Sequence, residues 1–549
     1  MEARTKGNRI ASGGAARDDY ALRQVPPTWR YRPAALVLSL LGGATAGFFL
    51  AFPAQLAASF GIANVVVGLV YALIVQTALN YVFVRAAART GLNSDLMSRG
   101  LGLGFDGSAW TTLVYWVTWV AYFGTEGQIL GGAVSAQFGI PTWISYLLVG
   151  LVFLPLVLYG VGFMARFQTW TLALYVIAMA ALVAKILTGP GVGVAGASLG
   201  EHWGALGATG VLGVLAAYNG LIGNVTFGHA DIGRLSATAR SLARGGRLGV
   251  FAIALVPYSL FAYVVFGGLG LLFWGATRGD TDPGHYFVQI LGIAGFLLII
   301  LTQLRINLIN AYSGSLSLAN FFSRLHFVPG RAFWAVLMVV IGTGAMFGNI
   351  LGNLGSVLTF EGVFLAAWIG VIFADLVIVR GRFRLGPDGG RWIEYRRAML
   401  PHWNRIGVVP LLVATVVGAI LALGGTAGIL GGQVTVFLSS WVTFLIALGL
   451  TTFTGLRARG RGYQRETIPW PREDAVIDCP KDGETVSTSD LFPCPFHRMW
   501  ICASDCMATT ECGERCKGMT ADELLEVAPL PPPTPRLVDV NRTLRERSP

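Results

Sequence analysis

Long apolar runs separated by short polar segments occupy most of this chain. Each run reaches the length of about 20 residues that a helix needs to cross the hydrocarbon core of a bilayer. Twelve runs can be placed, at residues 34–58, 63–87, 108–136, 142–163, 166–188, 206–229, 248–274, 286–312, 331–349, 356–379, 406–425 and 435–454. The pattern predicts an all-α integral membrane protein with about twelve transmembrane helices, numbered here as spans 1 to 12.

Polar segments flank this apolar region on both sides. Residues 1–32 are polar and basic, whereas residues 456–549 have the composition of a soluble segment and contain all six cysteines. We therefore predict three parts: a basic N-terminal tail over residues 1–32, a transmembrane domain over residues 33–455, and a Cys-rich and Pro-rich tail over residues 456–549.

Arginine placement orients the chain in the membrane. The loops after spans 2, 6, 8 and 10 contain Arg85, Arg89, Arg99, Arg234, Arg240, Arg244, Arg247, Arg324, Arg331, Arg380, Arg382, Arg384, Arg391, Arg396 and Arg397. The alternate loops contain only Lys185 and Arg278. Because cytoplasmic loops carry the excess of positive charge, both termini are expected in the cytoplasm of a bacterium, with the spans in its inner membrane.

The composition agrees with a lipid bilayer as the main partner. Charged residues make up 13% of the chain and the mean hydropathy is +0.62, whereas about a quarter of the residues in soluble proteins are charged. Lysine and arginine outnumber aspartate and glutamate by 40 to 29, but they lie in short loops, so we expect no nucleic-acid partner. The sequence has no GxxxxGK[ST] loop, which argues against an ATP-driven pump, and no nucleophile–base set that would indicate an enzyme.

Glycines occur inside two spans at corresponding places in two sets of five. Span 1 contains Gly42, Gly43 and Gly47, and span 6 contains Gly213, Gly220, Gly223 and Gly228. Many secondary transporters are built from inverted repeats whose first helices are interrupted near the midplane, where substrate binds. Close packing of helices through small residues is the alternative explanation.

Span 3 carries a tyrosine and a glutamate on one helix face. Tyr122 and Glu126 are four residues apart, so they share that face. The ring is suited to stacking and the carboxylate to accepting hydrogen bonds from N–H groups or to carrying a proton. For Glu126 the alternative is an ion pair with another helix.

Span 8 contains Arg305, Asn307 and Asn310 at membrane depth. An arginine there stays charged and needs a counter-charge or a set of carbonyl oxygens. Glu126 and Glu361 of span 10 are the candidate partners, and we assign Glu126, Arg305 and Glu361 to ion coupling. Asn310 offers both donors and acceptors, as recognition of a base edge requires; an interhelical hydrogen bond is its alternative role.

Four short motifs in this order resemble the nucleobase:cation symport (purine-cytosine permease) family over about residues 30–455. They are Tyr122-Phe123-Gly124-Thr125-Glu126, Asp231-Ile232-Gly233-Arg234, Asn310-Ala311-Tyr312-Ser313 and Ala374-Asp375. The resemblance implies a five-plus-five inverted repeat with broken helices 1 and 6 plus two extra helices, and alternating access. It also implies a heterocyclic base bound between spans 1, 3, 6 and 8, with Asn310 in contact with the base and Tyr122 stacked on it.

The chain departs from the family pattern at two places. The second stacking aromatic of the family falls at Ile222, shortly after Gly220, so a substrate smaller or less flat than a purine is expected. Leu304 and Arg305 occupy the positions where sodium-coupled members carry hydroxyl residues. A guanidinium there would repel sodium, and our hypothesis is a sodium-independent protein in which Glu126 or Glu361 carries a coupling proton.

The cysteines of the C-terminal tail form an added module. Its candidate metal ligands are Cys479, Cys494, His497, Cys502, Cys506, Cys512 and Cys516. The cytoplasm is reducing, so metal binding is favoured over structural disulfides. We expect zinc or an iron–sulfur cluster, with free or redox-active thiols as the alternative.

Two functions remain open from the sequence. The first is a secondary active permease that imports a nucleobase or related small nitrogen heterocycle. The second is a permease-like receptor that senses a ligand, a metal or redox state and signals to a cytoplasmic regulator through the Cys-rich tail.

Overall fold

The apolar runs fold into helices packed side by side. The computed structural model describes residues 20–26, 29–237, 244–390, 392–463, 476–509 and 511–528. The α-helices, in chain order, are α1 Pro33–Ala44, α2 Phe48–Phe60, α3 Ile62–Thr90, α4 Ser94–Ser98, α5 Gly107–Phe138, α6 Thr142–Leu156, α7 Gly160–Thr188, α8 Gly191–Glu201, α9 Ala208–Gly233, α10 Arg244–Ala254, α11 Gly267–Ala276, α12 Pro283–Leu291, α13 Ile293–Phe322, α14 Arg331–Ala345, α15 Leu354–Phe373, α16 Pro387–Gly390, α17 Arg405–Thr426, α18 Gln433–Ala458, α19 Ala503–Ala508 and α20 Ala521–Val527. A π-helical segment, Leu255–Phe266, joins α10 to α11, and another, Ala374–Arg382, extends α15.

Within the described residues, length and composition give eight to ten candidate membrane spans, which is close to the twelve spans predicted. Eight are each long and apolar enough to cross a membrane alone: spans 2, 5, 6, 7, 8, 10, 11 and 12. Span 1 is the bent pair α1 and α2, spans 3 and 4 are α5 and α6 with a bend of 119° between them, and span 9 is the shorter apolar helix Ala332–Gly348. The chain is therefore a multi-pass membrane protein.

Span 1 is broken, as its glycines predicted. Helices α1 and α2 meet at an angle of 48° across residues 45–47. The Thr45 hydroxyl donates to the Gly42 carbonyl oxygen over 2.7 Å, and the Thr302 hydroxyl of span 8 donates to the Thr45 carbonyl oxygen. A Cβ atom at Gly42 would overlap the side chain of Gln168. The break thus depends on glycine, which allows close packing, and on span 8, which provides a hydrogen-bond donor for a backbone carbonyl freed at the break.

Span 6 differs from the prediction, because α9 runs unbroken through the described residues from Ala208 to Gly233. Its glycines serve close packing instead. A Cβ atom at Gly220 would overlap the Leu358 carbonyl oxygen of α15, and one at Gly223 would lie 2.6 Å from Cβ of Leu365. The expected break in helix 6 was wrong, since two helices that approach this closely require small residues whether or not either one is interrupted.

The predicted bounds of span 8 also need correction. The apolar run 286–312 is divided at Gly292, whose φ is +58°. Before it lies the short helix α12, which begins with Pro283 in its first turn and is capped by the Asp282 carboxylate, an acceptor for the Gly284 N–H at 2.9 Å. Span 8 itself is α13, whose polar residues are therefore carried by one continuous helix.

The tail folds into a small module over residues 476–528. Strand β1 (Val476–Asp478) pairs antiparallel with β2 (Thr485–Ser487), and β3 (Phe492–Cys494) pairs antiparallel with β4 (Met499–Ile501). Helices α19 and α20 follow. The buried apolar core of the module includes two residues from the loop before α17 and consists of Ala398, Met399, Cys479, Val486, Leu491, Phe492, Trp500, Cys502, Cys516, Leu524 and Ala528. The module is therefore packed against the transmembrane domain.

The glycine packing of span 6 leads to a prediction about stability. Gly220→Ala should destabilise the protein by about 1–3 kcal/mol, because the added methyl group meets a backbone carbonyl that cannot rotate away. Gly355→Ala in α15 is the matched control, because a Cβ atom there meets nothing within 4 Å and alanine favours a helix over glycine. Thermal unfolding in detergent should show a lower midpoint for the first variant only; an equal effect of both would contradict this packing.

Candidate functional site

A buried cavity lies where the break of span 1 faces spans 3, 6, 7 and 8. Its volume is about 40 Å³, and it is lined by Leu40, Phe48, Phe49, Trp119, Tyr122, Glu126, Leu221, Asn224, Val225, Gly228, His229, Tyr258, Ile306, Ile309 and Asn310. A cavity of about 150 Å³ is large enough for benzene. The site is therefore closed around a space smaller than a heterocycle, and binding one requires the lining helices or side chains to move.

Glu126 lies at the end of the broken helix. Its Oε2 accepts a hydrogen bond from the Phe48 N–H, the first residue of α2, over 3.4 Å. The first N–H groups of a helix have no partner within the helix and carry the positive end of its dipole. The half-helix end that the glycine pattern predicted is thus present in span 1, and the carboxylate of span 3 faces it.

Aromatic rings form one side of the cavity. The ring centroids of Tyr122 and Phe48 are 5.7 Å apart in an edge-to-face arrangement, and those of Tyr122 and Trp119 are 6.4 Å apart. Glu361 of span 10 lies close to the Tyr122 hydroxyl but is absent from the cavity lining. Of the two acidic residues assigned to ion coupling, only Glu126 reaches the cavity.

Asn310 lines the cavity, and Asn307, one helical turn earlier, accepts a hydrogen bond from the Asn310 side chain. Nδ2 of Asn310 donates to Oδ1 of Asn307 over 2.9 Å, and Nδ2 of Asn307 donates to the Phe123 carbonyl oxygen of span 3 over 3.4 Å. The two asparagines therefore divide the roles that the sequence left open. Asn307 makes the interhelical hydrogen bond, and Asn310 faces the cavity.

Arg305 is buried on a different face of span 8, against span 5. Its Nε donates to Oε1 of Gln168 over 3.0 Å, and Nε2 of Gln168 donates back to the Arg305 carbonyl oxygen over 2.7 Å. The guanidinium carbon lies 5.5 Å from the centroid of the Tyr175 ring. In the described part of the chain, neither Glu126 nor Glu361 forms an ion pair with Arg305. The prediction that one of these glutamates pairs with Arg305 was wrong. At 100° per residue, Arg305 lies about 140° around the helix from Asn310, so it points away from the cavity that Glu126 lines.

The span 6 residues that line the cavity are not Gly220 and Ile222, the two that the sequence predicted. Gly220 packs on α15, and Ile222 accepts a hydrogen bond at its carbonyl oxygen from Nε2 of Gln76 over 3.4 Å; neither lines the cavity. Two polar residues that do line it are Asn224 and His229. The same signal that identified Asn310, a polar residue inside an apolar span, would have found both.

Each of these polar residues is held in place. Nδ2 of Asn224 donates to the Thr118 hydroxyl of span 3 over 2.7 Å. Nδ1 of His229 lies 2.8 Å from the Val225 carbonyl oxygen, and its ring packs edge-to-face on Tyr258 at 4.9 Å. The cavity thus combines aromatic faces with a carboxylate, two amides and an imidazole.

The structure divides the tail cysteines into two groups, and among the described residues they form no disulfide. Cys479 and Cys502 lie beside Asp482 and Asp505. The others, Cys494, Cys506, Cys512 and Cys516, line a second cavity of about 210 Å³, and Nδ1 of His497 lies 3.4 Å from Sγ of Cys494. Burial raises the pKa of the Cys506 thiol to about 12, with the thiols of Cys516, Cys494 and Cys512 acting in the same direction.

The tail module docks on the arginine-rich end of the helix bundle. Glu514 forms an ion pair with Arg397 at 2.6 Å, and its other oxygen lies 2.7 Å from Nε2 of His402. Partial burial alone would raise the pKa of Glu514, but its hydrogen bond to Lys517 and the Arg397 guanidinium lower it to about 2. The carboxylate is therefore charged at any physiological pH, and the contact does not depend on protonation there.

Further contacts join the module to the loops after spans 2 and 8. The Met507 carbonyl oxygen lies 2.9 Å from Nδ1 of His326, and Sδ of Met507 lies 3.3 Å from NH1 of Arg99. A second amino group of Arg99 donates to Oδ1 of Asn320 on span 8 over 2.7 Å. One residue of the tail thus contacts both halves of the predicted repeat.

The segment before span 1 is buried at the same end. NH1 of Arg234 donates to the Tyr20 carbonyl oxygen over 2.6 Å, and Nδ2 of Asn320 donates to the Ala21 carbonyl oxygen over 3.2 Å. The Ser489 hydroxyl of the tail donates to Oε1 of Gln24 over 2.5 Å. The N-terminal segment, spans 6 and 8, and the tail are therefore joined in one network.

No family model matches the sequence, and no curated protein matches it either. Solved structures do match its fold. Mhp1, a nucleobase-cation-symport-1 family transporter, in a closed conformation with bromovinylhydantoin bound, gives a TM-score of 0.58 at 16% identity over 80% of this chain and 96% of that chain. Its inward-facing conformation gives 0.58 at 17% identity over 80% and 97%.

A Na⁺-coupled sialic acid symporter in a substrate-bound, outward-open state is also similar. It gives a TM-score of 0.56 at 13% identity over 82% of this chain and 93% of that chain. At these identities the likeness establishes the fold. It confirms the all-α membrane transporter fold that the sequence motifs predicted.

The contact between Glu126 and the Phe48 N–H leads to a second prediction. Glu126→Ala should destabilise the protein by about 1–3 kcal/mol, because it leaves a buried backbone donor without an acceptor. Glu126→Gln keeps an acceptor of the same shape and should retain most of the stability. The measurement is thermal unfolding in detergent without ligand. Equal losses would show that the negative charge at the helix end, and not the acceptor, is what stabilises the break.

Proposed function

We propose that this protein is a secondary active transporter that moves a nucleobase or a related small nitrogen heterocycle by alternating access. The observation that carries the proposal is the cavity at the break of span 1. Its aromatic side chains suit the faces of a flat ring, and its amides, carboxylate and imidazole suit N–H and C=O groups at the edge. The bromovinylhydantoin bound to Mhp1 is itself a small cyclic compound with such groups.

The residues of the cavity suggest how such a ring would be held. Tyr122 and Trp119 would contact its face, as the resemblance implied for Tyr122. Asn310 and Asn224 come from spans 8 and 6 and would bond its edge from two helices. Glu126 would accept a hydrogen bond from a ring N–H while remaining at the α2 end.

A ligand screen tests this binding site. Nucleobases and hydantoins should raise the unfolding temperature of the purified protein, because a ligand at about 100 times its dissociation constant stabilises the folded state by about 2.7 kcal/mol. Asn310→Ala should abolish this stabilisation while the protein still inserts into membranes. Asn219→Ala is the matched control, because Asn219 bonds Ser440 and Tyr71 and does not line the cavity. Normal ligand stabilisation of Asn310→Ala would refute the site.

We further propose that transport does not require sodium. Arg305 is fully buried at the position where the resemblance places a sodium-site hydroxyl, next to Leu304. Two like charges about 4 Å apart repel by about 4 kcal/mol at an effective dielectric constant of about 20. Glu126, which faces the cavity, is the candidate carrier of a coupling proton.

Uptake into proteoliposomes tests the driving ion. Replacing sodium by choline should leave the uptake rate unchanged, whereas collapsing an inward proton gradient should reduce it. Glu126→Gln should remove the response to the proton gradient, since an amide cannot carry the proton. Loss of uptake on sodium removal alone would contradict the proposal.

The docked tail favours a second candidate function, a receptor that reports cavity occupancy through the tail. The module contacts the loops after spans 2, 8 and 10, so any movement of these helices must change its contacts. If ligand binding in the cavity changes how the module docks, thermodynamic linkage requires that weakening the docking changes ligand affinity in turn. For typical coupling energies the change is about 5–150-fold. A passive tail would leave the affinity unchanged.

Breaking the Glu514 contact separates these possibilities. Glu514→Ala should increase hydrogen exchange in residues 503–509, because Arg397 and His402 lose their shared acceptor. Glu511→Ala is the control, since Glu511 is exposed in the same module. Ligand affinity that shifts only in Glu514→Ala, with binding but no flux in proteoliposomes, would establish the receptor; flux in both variants with equal affinity would exclude it.

A further inference from the structure

Two turns of the tail module bring two cysteines and two aspartates together. Cys479 follows β1 and begins a hairpin turn that includes Asp482. The Gly483 N–H donates to the Cys479 carbonyl oxygen over 2.8 Å, and Gly483 has a φ of +71°. Cys502 follows β4 as the residue before α19, and Asp505 lies in the first turn of that helix. Each cysteine is thus followed three residues later by an aspartate, on two separate segments.

The ligand atoms of these four residues all lie within 4.8 Å of one another. Sγ of Cys479 is 3.3 Å from Oδ2 of Asp505, and Sγ of Cys502 is 3.9 Å from Oδ2 of Asp482. In a tetrahedral site with Zn–S of about 2.3 Å and Zn–O of about 2.0 Å, neighbouring ligand atoms are roughly 3.3–3.8 Å apart. Shifts of at most about 1 Å would place all four around one ion.

We propose that Cys479, Asp482, Cys502 and Asp505 bind one zinc ion in a tetrahedral S₂O₂ site. This assignment adds two aspartates that the cysteine spacing did not indicate. It also separates Cys479 and Cys502 from the four thiols around the second cavity. Among the described residues, no three of those four thiols all lie within 4.8 Å of one another.

The charge at this place favours a divalent cation. Both thiols are buried, with 1% of Cys479 and none of Cys502 exposed. Lys481, with Nζ 3.9 Å from Oδ1 of Asp505, balances one carboxylate. Zinc would balance two thiolates as well.

The size of the module gives the ion a structural role. Segments this short rarely bury enough apolar surface to fold alone, and structural zinc supplies folding free energy directly. The site joins the β1–β2 hairpin to the start of α19. Those two elements contact the N-terminal segment, through the Glu484–Arg23 ion pair, and the loops after spans 2 and 8, through Met507. Bound zinc would therefore hold the docked form of the module together.

A disulfide between Cys479 and Cys502 is the competing use of the same thiols. It would leave the partly buried Asp505 carboxylate and the exposed Asp482 carboxylate beside an uncharged sulfur pair, with no cation between them. The presence of two aspartates at corresponding positions therefore favours the metal.

The test uses the full-length protein purified in detergent from cells grown with zinc. The first variant is Cys479→Ser with Cys502→Ser, and the matched control is Cys494→Ser with Cys512→Ser. Metal content per chain should fall by one zinc in the first variant relative to the wild type. Zinc-edge X-ray absorption of the control should show two sulfur ligands at about 2.3 Å and two oxygen ligands at about 2.0 Å.

A milder variant guards against loss of folding. Asp505→Asn keeps the shape of the side chain and should lower zinc affinity in chelator competition by more than about tenfold, since even second-shell losses cost about 10–100-fold. The proposal would be overturned if the wild-type protein bound zinc through sulfur ligands alone and the Cys494→Ser, Cys512→Ser control bound none. That result would place the ion at the cysteines around the second cavity. A control protein that contains no zinc and loses two free thiols reversibly on oxidation would also overturn it, because Cys479 and Cys502 would then form a disulfide.

Discussion

The break in span 1 is the feature on which the rest of the transmembrane domain depends. A helix that stops in the hydrocarbon region leaves N–H and C=O groups that water cannot reach, and each unsatisfied group costs several kcal/mol. Here span 8 supplies a donor, the Thr302 hydroxyl, for the Thr45 carbonyl oxygen, and span 3 supplies an acceptor, Glu126, for the Phe48 N–H. The interruption is stable only because these two helices meet it, and the cavity forms where they do.

The same requirement explains which polar residues remain for a ligand. Polar groups at membrane depth need partners, and most of them here find partners in neighbouring helices. Arg305 is satisfied in part by Gln168 of span 5, and Asn307 by a backbone carbonyl of span 3. The groups that line the cavity, Asn310 and Glu126 among them, lie where the break separates the backbones and no helix fills the space. The polar residues that line the cavity are thus selected by the geometry around the interruption.

A second set of interhelical contacts lies at the arginine-rich loops. Arg234 of the Asp-x-x-Arg motif bonds the N-terminal segment and the Tyr312 hydroxyl of span 8, over 3.2 Å for the latter. Asp231 of the same motif accepts hydrogen bonds from the N–H and hydroxyl of Ser94, at 2.9 and 2.6 Å. The motif therefore closes the bundle at the end where the tail docks. Opening of the cavity towards this side would have to break these contacts and the tail's contacts together.

The sequence by itself determined the all-α membrane fold, the break in span 1 and the position of the cavity-lining residues Tyr122, Glu126 and Asn310. Hydrophobic length, glycine placement and isolated polar residues are local properties, and each is set by the bilayer before any helix packs. The tertiary structure decided the partners. Whether glycines in span 6 meant a break or close packing depended on how near α15 approaches, and the partner of Arg305 depended on which helix faces it. The two aspartates beside Cys479 and Cys502 became visible only when the chain folded, because a metal site is defined by distances between segments that the sequence keeps apart.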